Sequence, residues 1–298
     1  MVALGLVPAL LWADPKSQDS YLVHPSSQTV HRREAVLALG QTEDPQAGSK
    51  LLEALSDKDP MTRSLAAQRL GALKIASSRS ALARVLATDS QEQVRQAAAF
   101  SLRQIEDPGA TDALGKALKD SSPNVRILAL TGLGHYKDAS KGRLVEAMCQ
   151  DKSVEVRRTA VFVLGRLEDR ASVPTLEQLL KTDPDGAVRA GAAQALGDLR
   201  ATESKEALRS LLKDPAKVVQ ASAARSLMML GDGSAFEAAR ALDNDPDQTV
   251  RIVAIDALGW SKDPAAEAEL QALLTQASQN SRPAIEGALM RTKQLRNP

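Results

Sequence analysis

An all-α fold, a right-handed superhelix of stacked helical pairs, is what this 298-residue sequence predicts, and three observations predict it. A Val-Arg dipeptide returns at near-constant spacing, an alanine and a leucine follow it at fixed offsets, and a leucine-marked segment lies between successive copies. The dipeptide is Val94-Arg95, Val125-Arg126, Val156-Arg157, Val188-Arg189 and Val250-Arg251, while Arg32, Arg63, Gln220 and Arg282 fill the other places in the series. The anchor therefore occurs nine times, at steps of 31 or 32 residues from 32 to 282, and a fixed period of that length marks a repeat array.

From the N-terminus, the apolar stretch Val2 to Trp12 is too short to span a bilayer, which takes about 20 residues, but suits the apolar core of a secretory signal. Residues 1–13 are read as a signal remnant, with export to the periplasm or exterior expected if Ala13 precedes a cleavage site and a cytoplasmic location otherwise. No basic residue precedes the run and Pro8 interrupts it, so an apolar arm packed on the first helices is the competing reading. Residues 14–29, polar and holding two prolines, read as an N-terminal arm. The repeats occupy 30–298.

Within each repeat, the third residue after the anchor is alanine in eight copies, from Ala35 and Ala66 to Ala254, with Ile285 in the last. The seventh is leucine in all nine, from Leu39 to Leu289. Those offsets share one face of a 3.6-residue helix with the valine, so that face is the expected core: alanine lets a neighbouring helix come close and leucine supplies buried area. Glycine often follows the leucine (Gly40, Gly71, Gly134, Gly165, Gly197, Gly259) and is expected to end or loosen the helix with a left-handed residue. An aspartate stands six residues before seven anchors: Asp57, Asp89, Asp120, Asp151, Asp183, Asp214 and Asp245. It is placed to accept hydrogen bonds from backbone amides of the turn, with a proline often opening the next helix. The second helix carries leucines such as Leu176, Leu179 and Leu180, then Leu208, Leu211 and Leu212, then Leu270, Leu273 and Leu274. Neither helix can bury its apolar face alone, so the pairs must stack.

The pattern L-x-x-L-L-x-D-x-x-x-x-V-R-x-x-A-x-x-x-L-G, plainest from Asp151 to Gly165 and from Asp183 to Gly197, resembles HEAT repeats, and more closely the short bacterial variety named after phycobilin lyase subunits. The resemblance covers about residues 32 to 293. It implies an armadillo-type α-solenoid in which the Val-Arg helices line the concave side, the leucine helices the convex side, and the Arg and Asp columns bridge neighbouring repeats.

Charge and composition narrow the function. With 38 Lys+Arg against 37 Asp+Glu, the net charge is +1, and aromatics are 2% of residues. Neither a basic track for phosphates nor stacking platforms for bases are on offer, which speaks against nucleic acid, including a lesion-binding role of the kind some HEAT-like glycosylases have. One cysteine and three histidines leave little for disulfide or metal chemistry. Cys149 falls in a column of leucines (Leu55, Leu86, Leu118, Leu180, Leu212, Leu274) and reads as a buried thiol. Asp243-Asn244-Asp245-Pro246-Asp247 resembles the start of a calcium loop but lacks its glycine and closing glutamate, so a solvated turn is expected. Some HEAT-repeat hydroxylases hold two irons with His-Glu pairs; this sequence has no His-Glu dipeptide, and that class is excluded at this level. The Arg column reads as structural, paired with the Asp column of the next repeat.

The remaining candidate is the second face of the Val-Arg helices, at one, five and nine residues past each anchor, which varies from copy to copy. It contains Phe100, His135, Arg158, Phe162, Arg166, Arg225 and Trp260. Aromatic and arginine side chains are the usual anchors of protein interfaces. The sequence therefore predicts a monomeric, non-enzymatic interaction scaffold without cofactor, metal or membrane span, binding a protein partner on its concave face. A phycobilin lyase-like subunit acting on a pigment-protein, implied only by the resemblance, is the alternative.

Overall fold

The computed structural model describes residues 26–39 and 44–296, and the described residues form helices and 3-10 turns without a strand. The expected signal remnant and most of the expected arm lie outside the described residues. The Val-Arg helices are α1 (Ser27–Ala38), α3 (Pro60–Ala72), α5 (Glu92–Gln104), α7 (Pro123–Tyr136), α9 (Val154–Leu167), α11 (Gly186–Asp198), α13 (Lys217–Met229), α15 (Gln248–Leu258) and α17 (Arg282–Arg296). Between them lie the leucine helices α2 (Ala47–Ala54), α4 (Arg79–Thr88), α6 (Thr111–Ala117), α8 (Gly142–Met148), α10 (Val173–Thr182), α12 (Lys205–Ser210), α14 (Phe236–Arg240) and α16 (Pro264–Gln276). The last anchor thus contributes a single helix among the described residues. At the other end, α1 begins at Ser27, inside the expected arm, because the Ser26 hydroxyl caps it by accepting from the Thr29 amide.

The core is the expected column. Ala66, Ala98, Ala129, Ala160, Ala192, Ala223 and Ala254 are fully buried, and so are the leucines four residues beyond them, from Leu70 to Leu258. Consecutive Val-Arg helices pack directly on one another from α3 through α15, whereas the leucine helices touch each other far less. The Val-Arg helices are thus the more closely packed row of the stack.

Glycine does something other than expected. Gly71, Gly134 and Gly197 stay helical; a Cβ added at Gly197 would lie 2.6 Å from the Ser226 hydroxyl, and one at Gly71 2.7 Å from Ser101. Their work is close approach of adjacent Val-Arg helices. The left-handed turn residue comes three positions later and, among the described residues, is Lys74, Glu106, Lys137, Glu168 or Arg200, with glycine only at Gly231.

Most repeats are tied to the next by a polar ladder. The aspartates from Asp57 to Asp245 each accept from the amide two residues on, closing the turn. The first six also accept the guanidinium of the preceding repeat in the pairs Arg32–Asp57, Arg63–Asp89, Arg95–Asp120, Arg126–Asp151, Arg157–Asp183 and Arg189–Asp214, with Nε to oxygen distances of 2.7–2.9 Å. A third arm of most of these arginines, Nη1, donates to the carbonyl of its own repeat's aspartate. Burial pushes the Asp120 and Asp151 carboxyls up, but their arginines and turn amides outweigh it and hold both below the usual range. The ladder changes at Gln220, whose side-chain amide donates to the Asp214 carbonyl at 2.6 Å, while Lys217 reaches Asp245 at 2.6 Å.

Candidate functional site

The stripe read from the sequence separates into two kinds of residue. Arg158 and Arg225, expected as free anchors beside the aromatic residues, are committed within the solenoid. Arg158 pairs with Asp185 of the next repeat at 3.0–3.1 Å, and Arg225 reaches Asp256 at 2.6 Å and Asp198 at 3.4 Å. Trp260 lies half-buried under Arg291, whose guanidinium is 4.6 Å from the ring centroid and which also bridges to Asp256 at 2.7 Å. The carboxylate between them is pushed up by burial but pulled lower overall by Arg225 and Arg291. These residues brace the C-terminal repeats.

The other group faces outward. Phe162 is 49% exposed, so its ring points away from the seam between repeats. Arg166, one turn on, covers the ring at 5.9 Å and donates from Nε to the Gly134 carbonyl at 3.3 Å. Phe100 is half-buried, with Arg103 over its ring at 5.0 Å. His135 is exposed and meets Tyr136 edge-on at 5.2 Å. Burial, Arg103 and Arg166 lower the imidazole below its usual range against the pull of Glu106, which keeps it neutral near pH 7. Beside it opens a shallow depression of about 360 Å³ lined by Gly71, Ala72, Lys74, Arg103, Gln104, Glu106 and His135. Sequence reasoning singled out His135 but missed Lys74, Arg103 and Glu106, because they come from the left-handed turns and from a face that the fixed offsets do not cover.

Other candidates fall away. Cys149 is buried, and burial pushes its thiol up to about 12, so it offers no thiolate at neutral pH. The Asp-rich run is a turn solvated in part: Asn244, Pro246 and Asp247 are exposed, whereas Asp243 and Asp245 are buried, Asp245 is held by Lys217, and Asp247 caps α15 by accepting from the Thr249 and Val250 amides. His31 is tied by Nδ1 to the Ser27 carbonyl at 2.6 Å. Among the described residues, no group of three or more His, Cys, Asp or Glu side chains could hold a metal ion. No helix of the described residues is long and apolar enough to cross a membrane.

Paired helices stacked with a 31- or 32-residue period, tied by an Arg-Asp ladder, define an α-solenoid. The family model for HEAT repeats matches residues 21–103, 80–154 and 142–228, and the chain belongs to that family. Among curated proteins, it is 30% identical over 219 residues to deoxyhypusine hydroxylase-B of Oryza sativa subsp. japonica, covering 63% of this chain and 72% of that one. It is 28% identical over 190 residues to deoxyhypusine hydroxylase of Arabidopsis thaliana, covering 63% of this chain and 59% of the relative. Of solved structures, YibA of E. coli aligns over 90% of this chain and 97% of its own, at TM-score 0.56 and 24% identity. The CpcE and CpcF complex of phycocyanin lyase from Nostoc aligns over 84% and 97%, at TM-score 0.50 and 19% identity. These structural likenesses bear on the fold alone.

The relatives correct the functional expectation. A non-enzymatic scaffold was expected because no catalytic constellation is legible in the sequence, yet the curated proteins that this chain matches at about 30% identity are named as enzymes. The donor set is a separate matter: the described residues do not fit the two-iron centre that His-Glu pairs build in some HEAT-repeat hydroxylases, and no chemical step is derived through iron.

Proposed function

We propose that this chain is a protein-recognising member of the hydroxylase-related HEAT-repeat proteins, built of the short phycobilin-lyase type of repeat, and that it receives an acidic, amphipathic segment of a protein client on its concave face. Hydroxylation is the reaction class that the relatives' names attach to it. The observation carrying the reading is the Phe162–Arg166 pair: a ring half open to solvent beneath a guanidinium that, among the described residues, meets no carboxylate. An apolar client side chain on that ring would bring its neighbouring carboxylates to Arg166 and Arg103. His135, neutral and exposed between Phe100 and Phe162 in the repeat order, extends the surface.

The test is a pull-down from native extract, read by mass spectrometry for the identity of the retained protein and for oxygen added to it. Retention by the native chain, lost in both Phe162→Ala and Arg166→Glu, supports the face, and added oxygen supports the reaction class. Arg158→Glu is a poor probe because it breaks the Asp185 bridge. Retention unchanged in Phe162→Ala and Arg166→Glu, but lost on reversing Lys181 of α10, would move the working face to the convex side.

A further inference from the structure

We propose that the junction between the seventh and eighth repeats is a proton-operated joint: the last repeats dock firmly on the array when the Asp243 carboxyl is protonated, and open from it when that carboxyl is ionised.

The placement of Asp243 is the first argument. It occupies the core column that holds Leu55, Leu86, Leu118, Cys149, Leu180, Leu212 and Leu274 in other repeats. It is 3% exposed; Oδ1 takes only the neighbouring Asn244 side chain at 3.2 Å, and Oδ2 has no hydrogen-bond partner. A buried, unpaired carboxylate is costly, whereas its protonated form resembles the polar-neutral groups that cores tolerate. The second argument is independent: at this junction the ladder changes its chemistry, Gln220 standing in place of the arginine and Lys217 carrying the rung to Asp245 at 2.6 Å, and one junction further on Arg251 donates to the carbonyls of Asp245 and Pro246, with Gln276 and Ala277 at the sequence positions where the ladder aspartate would fall. Ala221, Leu242, Val250 and Ala254 form a small apolar cluster of their own here, with Val218 packed against both it and the main core, which continues into α15 through Ile255, Ala257 and Leu258.

Among the described residues, no cation forms an ion pair with Asp243, and Arg240, which acts on it, is held by Glu269. On α13, which packs against α14, Lys217 is held by Asp245 and Arg225 by Asp256 and Asp198. On α15, Arg251 is turned to backbone carbonyls and Asp256 is shared by Arg225 and Arg291. Glu269 of α16 adds a like charge and itself holds Arg240 of α14 at 2.8 Å. Burial, then Glu269, pushes the Asp243 carboxyl up to about 6, with Arg240 opposing. Because the docked state holds the proton more tightly than the open one, docking is strongest below the ordinary carboxyl range and weakens as pH rises through about 6.

Hydrogen exchange of the full chain, corrected for intrinsic rates and read by mass spectrometry, tests this. Opening of α15 to α17 should rise about tenfold between about pH 5 and about pH 8, while α7 to α11 hold steady. Asp243→Leu and Asp243→Asn should both flatten that rise, and the near-isosteric asparagine decides should the leucine variant not fold. The same rise in Asp243→Asn as in the native chain, or an equal rise across all repeats, would overturn the proposal.

Discussion

Arg126 is the most enclosed rung of the ladder, 6% of its side chain exposed against 9% for its partner Asp151. Removing it strands a buried carboxylate and two turn carbonyls. Arg126→Ala should therefore destabilise by about 3–5 kcal/mol in urea unfolding. Lys74→Ala breaks a pair whose members are each 59% exposed, and should change stability by less than about 1 kcal/mol. Equal losses in the two variants would mean that enclosure does not set the worth of a rung. Cys149 gives a second residue-scale outcome. With its thiol buried and pushed up to about 12, it should resist a thiol reagent near neutral pH and react at the ordinary rate once denaturant unfolds the chain. Phe162, with half its ring in solvent, should cost under about 1 kcal/mol as alanine, against about 2–5 kcal/mol for the fully buried Leu164.

At the scale of elements, the spacing between neighbouring Val-Arg helices is set by missing side chains. Gly197 of α11 faces the Ser226 hydroxyl and main chain of α13, so a methyl there would come within 3.1 Å of the Ser226 Cα as well. Backbone cannot swing aside as a flexible side chain can. Gly197→Ala should cost about 1–3 kcal/mol, measured by urea unfolding, despite alanine's better helix propensity. Gly233, with nothing within 4 Å of an added Cβ and no left-handed backbone, is the control, and its alanine variant should be neutral. A harmless Gly197→Ala would show that α11 and α13 can slide apart, and that close approach does not fix the stack.

For the whole molecule, the repeated rungs make the solenoid sensitive to acid. Asp89, Asp120, Asp151 and Asp214 lie below the usual carboxyl range because, although burial raises them, arginines and turn amides prevail. A carboxyl depressed in the folded state stabilises above its unfolded value of about 4, and that stability is lost as pH falls through the folded value. The melting temperature should accordingly drop steeply below about pH 4, when followed by far-ultraviolet circular dichroism. Asp243 contributes with the opposite sign and at higher pH, so Asp243→Asn should raise the melting temperature near pH 8 while leaving the acid limb unchanged. An acid limb as steep in Arg126→Ala as in the native chain would detach the ladder from acid unfolding.

Nearly everything that repeats was determined by the sequence itself: a 31- or 32-residue period places Ala129, Leu133, Arg126 and Asp120 on defined faces of defined helices, and like positions in like units must find like neighbours. Departures from the period were decided by tertiary structure, because their meaning depends on what the next repeat supplies. Arg158 and Phe162 occupy equivalent kinds of position, yet Asp185 claims the first while the second stays half open to solvent under Arg166. Gly197 reads as a helix end in one dimension and as a contact with Ser226 in three. Asp243, one residue in an acidic run, becomes a buried charge only once the leucine column is seen to pass through it, since burial is a property of the stack and of no single segment.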